Sequence, residues 1–212
     1  MKSFFSMFGA SARELKKIRC LTVTALLCAA SVVIEMNSLY LNGGTVKVNF
    51  AFIALAAVGM LFGPVVGMVA GVVCDMVGFL SSTGGEAFNP VYPLVAALQG
   101  LIYGMVLYHA AYGKKYDLIL RRKANGKETD IALYLRTVIA RLIDVAVINL
   151  FINTAIIMYT KGITMNGFWA FFTPRLIKNV VELAVDLPLL FLLLPVVLTA
   201  YKRVFRSALQ SA

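Results

Sequence analysis

The chain has 212 residues, of which 60% are apolar and 14% charged, and its 20 Lys and Arg outnumber 10 Asp and Glu for a net charge of +10. With a mean hydropathy of +0.85, this composition excludes an ordinary soluble domain and describes an all-α polytopic membrane protein. The positive charge lies between apolar runs, where membrane topology requires it, which argues against nucleic acid as a partner.

Residues 1–19 are polar and basic, with Lys2, Arg13, Lys16, Lys17 and Arg19, and read as an N-terminal arm. The apolar run that follows is too long and uninterrupted for a cleaved leader, so none is expected. On this first run, at about residues 21–39, Ala25 and Ala29 share one face. Small side chains at that spacing let helix backbones approach closely. The same face flanks Cys28 and Ala30, so it suits either internal packing or a helix of another protein. Glu35 lies near the end of the run, before a loop with Asn42-Gly43-Gly44.

The second and third runs, at about 48–62 and 65–80, are short for a crossing of about 20 residues. Between them stands Gly63-Pro64, and proline breaks a helix by removing a donor and clashing with the preceding turn. Gly67 and Gly71 line one face of the third run and Asp75 sits deeper along it. A loop with Gly84-Gly85 and Asn89-Pro90 leads to the fourth run, at about 92–112, where Gln99 accompanies Gly100 and Gly104. The glycine pairs read as internal packing. The single histidine, His109, reads as a surface residue near a helix end. Cys20, Cys28 and Cys74 have neither CxxC spacing nor a nearby histidine, so they suggest no metal site and no disulfide framework.

Seven basic residues precede or open the fifth run at about 137–158: Lys114, Lys115, Arg121, Arg122, Lys123, Lys127 and Arg136. Within it, Arg141 and Asp144 stand three apart and should form a structural ion pair. Asn149 and Asn153, four apart, project together and supply donors and acceptors either to an interhelical hydrogen bond or to a heterocycle. The next loop, at 159–173, holds Gly162, Gly167, Phe168, Trp169, Phe171 and Phe172. These rings suit an interfacial belt or a lid that closes over a ligand.

The sixth run, at about 174–201, carries a polar stripe. At about 100° per residue, Arg175, Lys178, Asn179, Glu182 and Asp186 fall within an arc of roughly 100°. Pro174 suits a first helical position, which would put Arg175 and Lys178 at the positive end of the helix dipole as a carboxylate or phosphate site. A Lys178–Glu182 ion pair sealing the bundle is the competing explanation. Charged residues at membrane depth normally face a protein interior or a cavity.

Lys202, Arg203 and Arg206 follow the last run, whereas the loops at 37–47, 81–91 and 159–173 carry only Lys47 and Lys161. The positive-inside rule is then met by six crossings with both termini cytoplasmic. The expected organisation is a cytoplasmic arm at 1–19, a six-helix membrane domain at 20–204 and a cytoplasmic tail at 205–212. No GxxxxGK[ST], HExxH or GxSxG motif occurs, so neither an ATPase nor a hydrolase is expected.

These residues resemble the substrate-binding S components of energy-coupling-factor vitamin transporters, most closely the folate-specific group. The resemblance rests on residues 24–30 (TALLCAA), 46–80 (VKVNFAFIALAAVGMLFGPVVGMVAGVVCDMVGFL), 98–104 (LQGLIYG), 148–154 (INLFINT) and 173–189. At 89–97 the chain reads NPVYPLVAA where the folate group shows a PGFTLSA-like sequence. The resemblance implies a six-helix S component in a bacterial plasma membrane that captures its vitamin from outside. It would dock on a transmembrane coupling subunit driven by two cytoplasmic ATPases, which use ATP, and would carry no cofactor itself. The family's AxxxA docking motif falls on Ala25 and Ala29. If the ligand is folate, Arg175 and Lys178 suit its carboxylates. Asp75, Gln99, Asn149, Asn153, Asn179 or Glu182 suit the pterin ring, with Trp169 closing over it. Pantothenate or riboflavin capture, and a stand-alone ion-coupled carrier using Glu35, Asp75 and Asp186, remain the alternatives.

Overall fold

The computed structural model describes residues 2–36, 39–41, 46–48, 51–81, 88–108, 121–124, 127–162 and 168–205. His109, Asn42-Gly43-Gly44, Gly84-Gly85, Gly167, Lys114 and Lys115 lie outside them. The helices are α1 (Lys2–Glu14), α2 (Ile18–Met36), α3 (Ala51–Phe62), α4 (Pro64–Ser81) and α5 (Val91–Leu107). Then come α6, which runs without a break through Ile131–Ile143, Asp144–Ile152 and Asn153–Lys161, and α7 (Phe168–Val204). The six apolar runs are therefore the six helices α2 to α7. Among the described residues, 64–81, 133–160 and 172–204 are long and apolar enough to cross a bilayer alone, and α3 and α5 are shorter apolar helices.

Three features depart from expectation. Residues 2–14 are helical, and α1 turns by 86° from α2. Two short antiparallel hairpins occupy connecting segments: β1 (Leu39–Leu41) with β2 (Val46–Val48), and β3 (Arg121–Ala124) with β4 (Lys127–Asp130). Helix α7 begins at Phe168, so Pro174 lies inside it rather than at its first position. The segment 168–173, read as part of a loop, is the first turn and a half of that helix, where Phe168 stacks on Phe172 with ring centroids 5.1 Å apart.

The Gly63-Pro64 break forms as the residue types demand. Gly63 takes a φ of +90°, which glycine alone adopts without a side-chain penalty, and Pro64 opens α4, where an absent N–H costs nothing. A glycine has no side chain with which to cap the new helix. Ser11 of α1 supplies the cap instead: its hydroxyl donates to the Phe62 carbonyl at 2.7 Å and accepts from the Val65 and Val66 N–H groups at 3.0 and 3.3 Å. Ser11 is completely buried.

Helices α3, α4 and α5 pack through glycine. A β-carbon on Gly67 or on Gly100 would collide with the other's carbonyl oxygen, one on Gly71 with the Ala96 carbonyl, and one on Gly104 with Pro64. One on Gly59 would sit 2.7 Å from the Gly104 nitrogen. Contact at this range between backbones replaces the hydrophobic drive that lipid cannot provide. The core gathers Leu55, Val58 and Phe62 of α3, Val66 and Ala70 of α4, Tyr103 and Leu107 of α5, Ala140 of α6, and Leu190 and Leu194 of α7.

Ser11→Ala leaves two helix-start N–H groups, one buried and one part-buried, without their acceptor. It is expected to cost about 1–2 kcal/mol, read as a lower unfolding temperature of the purified chain in detergent.

Candidate ligand-binding site

One arginine joins four helices beneath the polar stripe. Arg141 of α6 is 4% exposed. Its Nη1 donates to Asp144 Oδ2 at 2.6 Å and to the Tyr103 hydroxyl of α5 at 3.1 Å. Its Nη2 donates to Asp186 Oδ2 of α7, and its guanidinium carbon lies 4.1 Å from the centroid of the Phe52 ring of α3. Tyr103 in turn donates to Asp144 at 3.2 Å, and Gln99 Nε2 reaches the same oxygen at 3.4 Å. Planar guanidinium with two carboxylates is the arrangement that tolerates burial, because each charge finds both an opposite charge and directed hydrogen bonds.

The Arg141–Asp144 pair is the structural one expected from spacing. Three further hydrogen-bonding members do not follow from that spacing: Tyr103, Asp186 and Gln99. The signals existed, since Tyr103 stands four residues after Gln99 on α5 and Asp186 four after Glu182 on α7.

Beyond this anchor, α6 departs from α-helical geometry. Residues Asp144–Ile152 form π-helical turns, closed by Asn153 N–H donating to the Ile148 carbonyl. Such turns are rare and concentrate at functional sites. The Asn149 carbonyl, within these turns, accepts from side chains. It receives Arg175 Nη2 from α7 at 3.5 Å and Thr154 Oγ1 at 3.4 Å. Asn153 Nδ2 donates to Asn149 Oδ1 at 3.3 Å, so the two amides do project together.

The stripe on α7 is graded rather than uniform. Arg175 is half-buried toward α6. Asn179 is 5% exposed and donates to the Arg175 carbonyl at 2.8 Å. Asp186 is buried on Arg141. Lys178 pairs with Glu182 at 3.3 Å, with side chains 42% and 18% exposed. The ion pair that competed with a ligand site is thus present, on the open edge of the stripe. Because α7 starts six residues before Pro174, the positive end of its dipole is not at Arg175 and Lys178, contrary to the expectation from Pro174. What remains there is the charge of the two side chains.

Asp75 is half-buried on α4. Trp169 is 71% exposed and meets Phe168 and Phe172 edge-on at 5.3 and 6.1 Å, so its ring belongs to an aromatic cluster at the start of α7, not to the polar stripe. Ala25 and Ala29 are exposed on α2, beside Leu21, Leu26 and Val33, which are exposed as well.

Replacing Arg141 strands two buried carboxylates. Arg141→Met is expected to destabilise the chain by about 3–5 kcal/mol, and Asp186→Asn by clearly less, because the arginine keeps Asp144. Thermal unfolding in detergent reads both.

Residues 19–194 match the family model described as "ECF transporter, substrate-specific component". A relative from Leuconostoc mesenteroides subsp. mesenteroides, named folate transporter FolT, is 25% identical over 178 residues, or 83% of this chain and 84% of that protein. A second folate transporter FolT, from Clostridium novyi (strain NT), is 27% identical over 95 residues. That match takes in 45% of this chain and 54% of the relative, about half its length. A solved structure of FolT bound with folic acid superposes with a TM-score of 0.60 at 26% identity, over 80% of this chain and 88% of that one. The family match runs from the first turn of α2 into the last third of α7 and so takes in part or all of each of the six helices; the chain belongs to the substrate-specific components of ECF transporters.

Proposed function

We propose that this chain captures folate or a related pterin from outside the cell and delivers it through an ATPase-driven coupling module. The observation that carries the ligand is the likeness to a folic-acid-bound protein over most of both chains. The graded stripe supports it chemically. A molecule with carboxylates at one end and a donor–acceptor heterocycle at the other matches cations near the start of α7 and amides deeper in.

In this reading Arg175 and Lys178 hold the glutamate carboxylates, Lys178 exchanging its partner Glu182 for the ligand. Asn149, Asn153, Asn179 and Glu182 present donors and acceptors to the pterin, with Asp75 and Gln99 across the bundle. Gln99 contributes what its bond to Asp144 leaves over. Trp169 closes over the ligand from its exposed position. The uncovered Ala25/Ala29 face of α2 receives the coupling subunit, whose two ATPase partners consume ATP. The chain itself is not an enzyme and needs no cofactor. Its place is a bacterial plasma membrane with both termini cytoplasmic, because its basic loops lie on one side.

The purified chain should bind folate without ATP, followed through the fluorescence of Trp169, its single tryptophan. Arg175→Ala with Lys178→Ala is expected to weaken binding about tenfold or more, since a hydrogen bond to a charged group contributes about 1.5–3 kcal/mol. Unchanged affinity would remove the carboxylate site, and a flavin co-purifying without a pterin would end the folate assignment. Ala25→Leu with Ala29→Leu should abolish uptake by cells carrying the coupling module while leaving folate binding intact. Gradient-driven accumulation in liposomes containing this chain alone would instead favour an independent carrier.

A further inference from the structure

Helix α1 has no part in the ligand site, and it lies before residue 19, where the family match begins. Its axis stands at 86° to α2, so beside a spanning α2 it runs along the membrane surface rather than through it. Its attitude is fixed on one side. Met7 is 2% exposed and Ser11 wholly buried, and the Ser11 hydroxyl is bonded into the α3–α4 turn.

The outer side combines two chemistries. Phe5 is 72% exposed and Ile18, just past the bend, 82%. Arg13, Lys16 and Lys17 are exposed with them. Glu14 is the sole acidic residue before Glu35, and it is already engaged by Lys17 at 2.6 Å and Arg19 at 3.8 Å. Five basic residues against this one carboxylate leave the segment with a net positive charge next to the exposed Phe5 ring and Ile18 side chain. Solvent suits the first and opposes the second, whereas the headgroup boundary of a bilayer suits both.

We propose that α1 is an in-plane interfacial helix that binds the phosphate headgroups of anionic phospholipid. Arg13, Lys16 and Lys17 meet the phosphates, and Phe5 and Ile18 enter the acyl boundary. Through Ser11 the same helix holds the α3–α4 turn at that surface. Anionic lipid attracts juxtamembrane cations at about 1 kcal/mol each, or roughly fivefold per charge.

The test uses the full chain in nanodiscs with Phe5→Trp and Trp169→Phe, leaving one reporter at position 5. In phosphatidylglycerol discs carrying lipid brominated near the headgroup, the emission is expected to be quenched, and far less so in phosphatidylcholine discs. Native mass spectrometry of the unmodified chain should show preferential retention of phosphatidylglycerol that fades as salt is raised. Arg13→Gln, Lys16→Gln and Lys17→Gln together should reduce that retention at least about fivefold, while Lys16→Arg with Lys17→Arg keeps it. Absent quenching, or equal quenching and retention with both lipids, overturns the proposal. So does shielding of position 5 that arises only when coupling and ATPase subunits are added, which would assign the surface to protein. None of these outcomes bears on folate binding.

Discussion

A single buried guanidinium holds the two halves of this bundle in register. Arg141 reaches α3 through the Phe52 ring, α5 through Tyr103 and α7 through Asp186, while pairing with Asp144 on its own helix. In hydrocarbon each of these charges would be costly alone. Together they form a unit whose geometry is demanding, because a planar donor set satisfies several acceptors only from defined positions. The helices that supply those acceptors are thereby fixed in rotation, and so are the residues further along them.

That fixing explains the polar stripe. With Asp186 pinned, the faces of α7 two and three turns earlier are determined, which sends Asn179 inward and Arg175 toward the Asn149 carbonyl. The π-helical turns of α6 begin at Asp144 itself, so the anchor is also where the helix changes its winding. On the opposite side, glycine contacts press α5 against α3 and α4 until no β-carbon fits between them. One side of the bundle is thus rigid and dry, whereas the other carries amides and charges at graded depth.

How much of this was legible depends on range. Helix existence followed from apolar runs and the Gly63-Pro64 break, because backbone sterics act within a few residues. The Arg141–Asp144 and Lys178–Glu182 pairs followed from helical spacing. The β3–β4 hairpin has a local signal as well, since Asn125-Gly126 between its strands is a dipeptide that two-residue hairpins favour. Helix α1 carries no such local signal. Its polar, basic composition lacks the continuous apolar run that marks a span, and its inner face is defined only by the burial of Met7 and by the bonds of Ser11 to the α3–α4 turn. Pro174 misled because proline favours a first helical position without requiring it, and the aromatic stack at 168–172 carries the helix past it.

By itself the sequence determined a membrane protein of six apolar helices, the turn between α3 and α4, and which residues bring charge and amides to membrane depth. These are consequences of composition and short-range backbone geometry, and neighbours along the chain are enough to set them. Only the tertiary structure decided that Asp186 and Gln99 serve the Arg141 anchor, that Trp169 keeps company with other rings, and that a serine from α1 caps α4. The first and last of those outcomes join residues tens of positions apart, where a buried polar group takes whichever partner the packed bundle places within hydrogen-bond reach; the second joins near neighbours, but only once residues 168–172 are wound into α7.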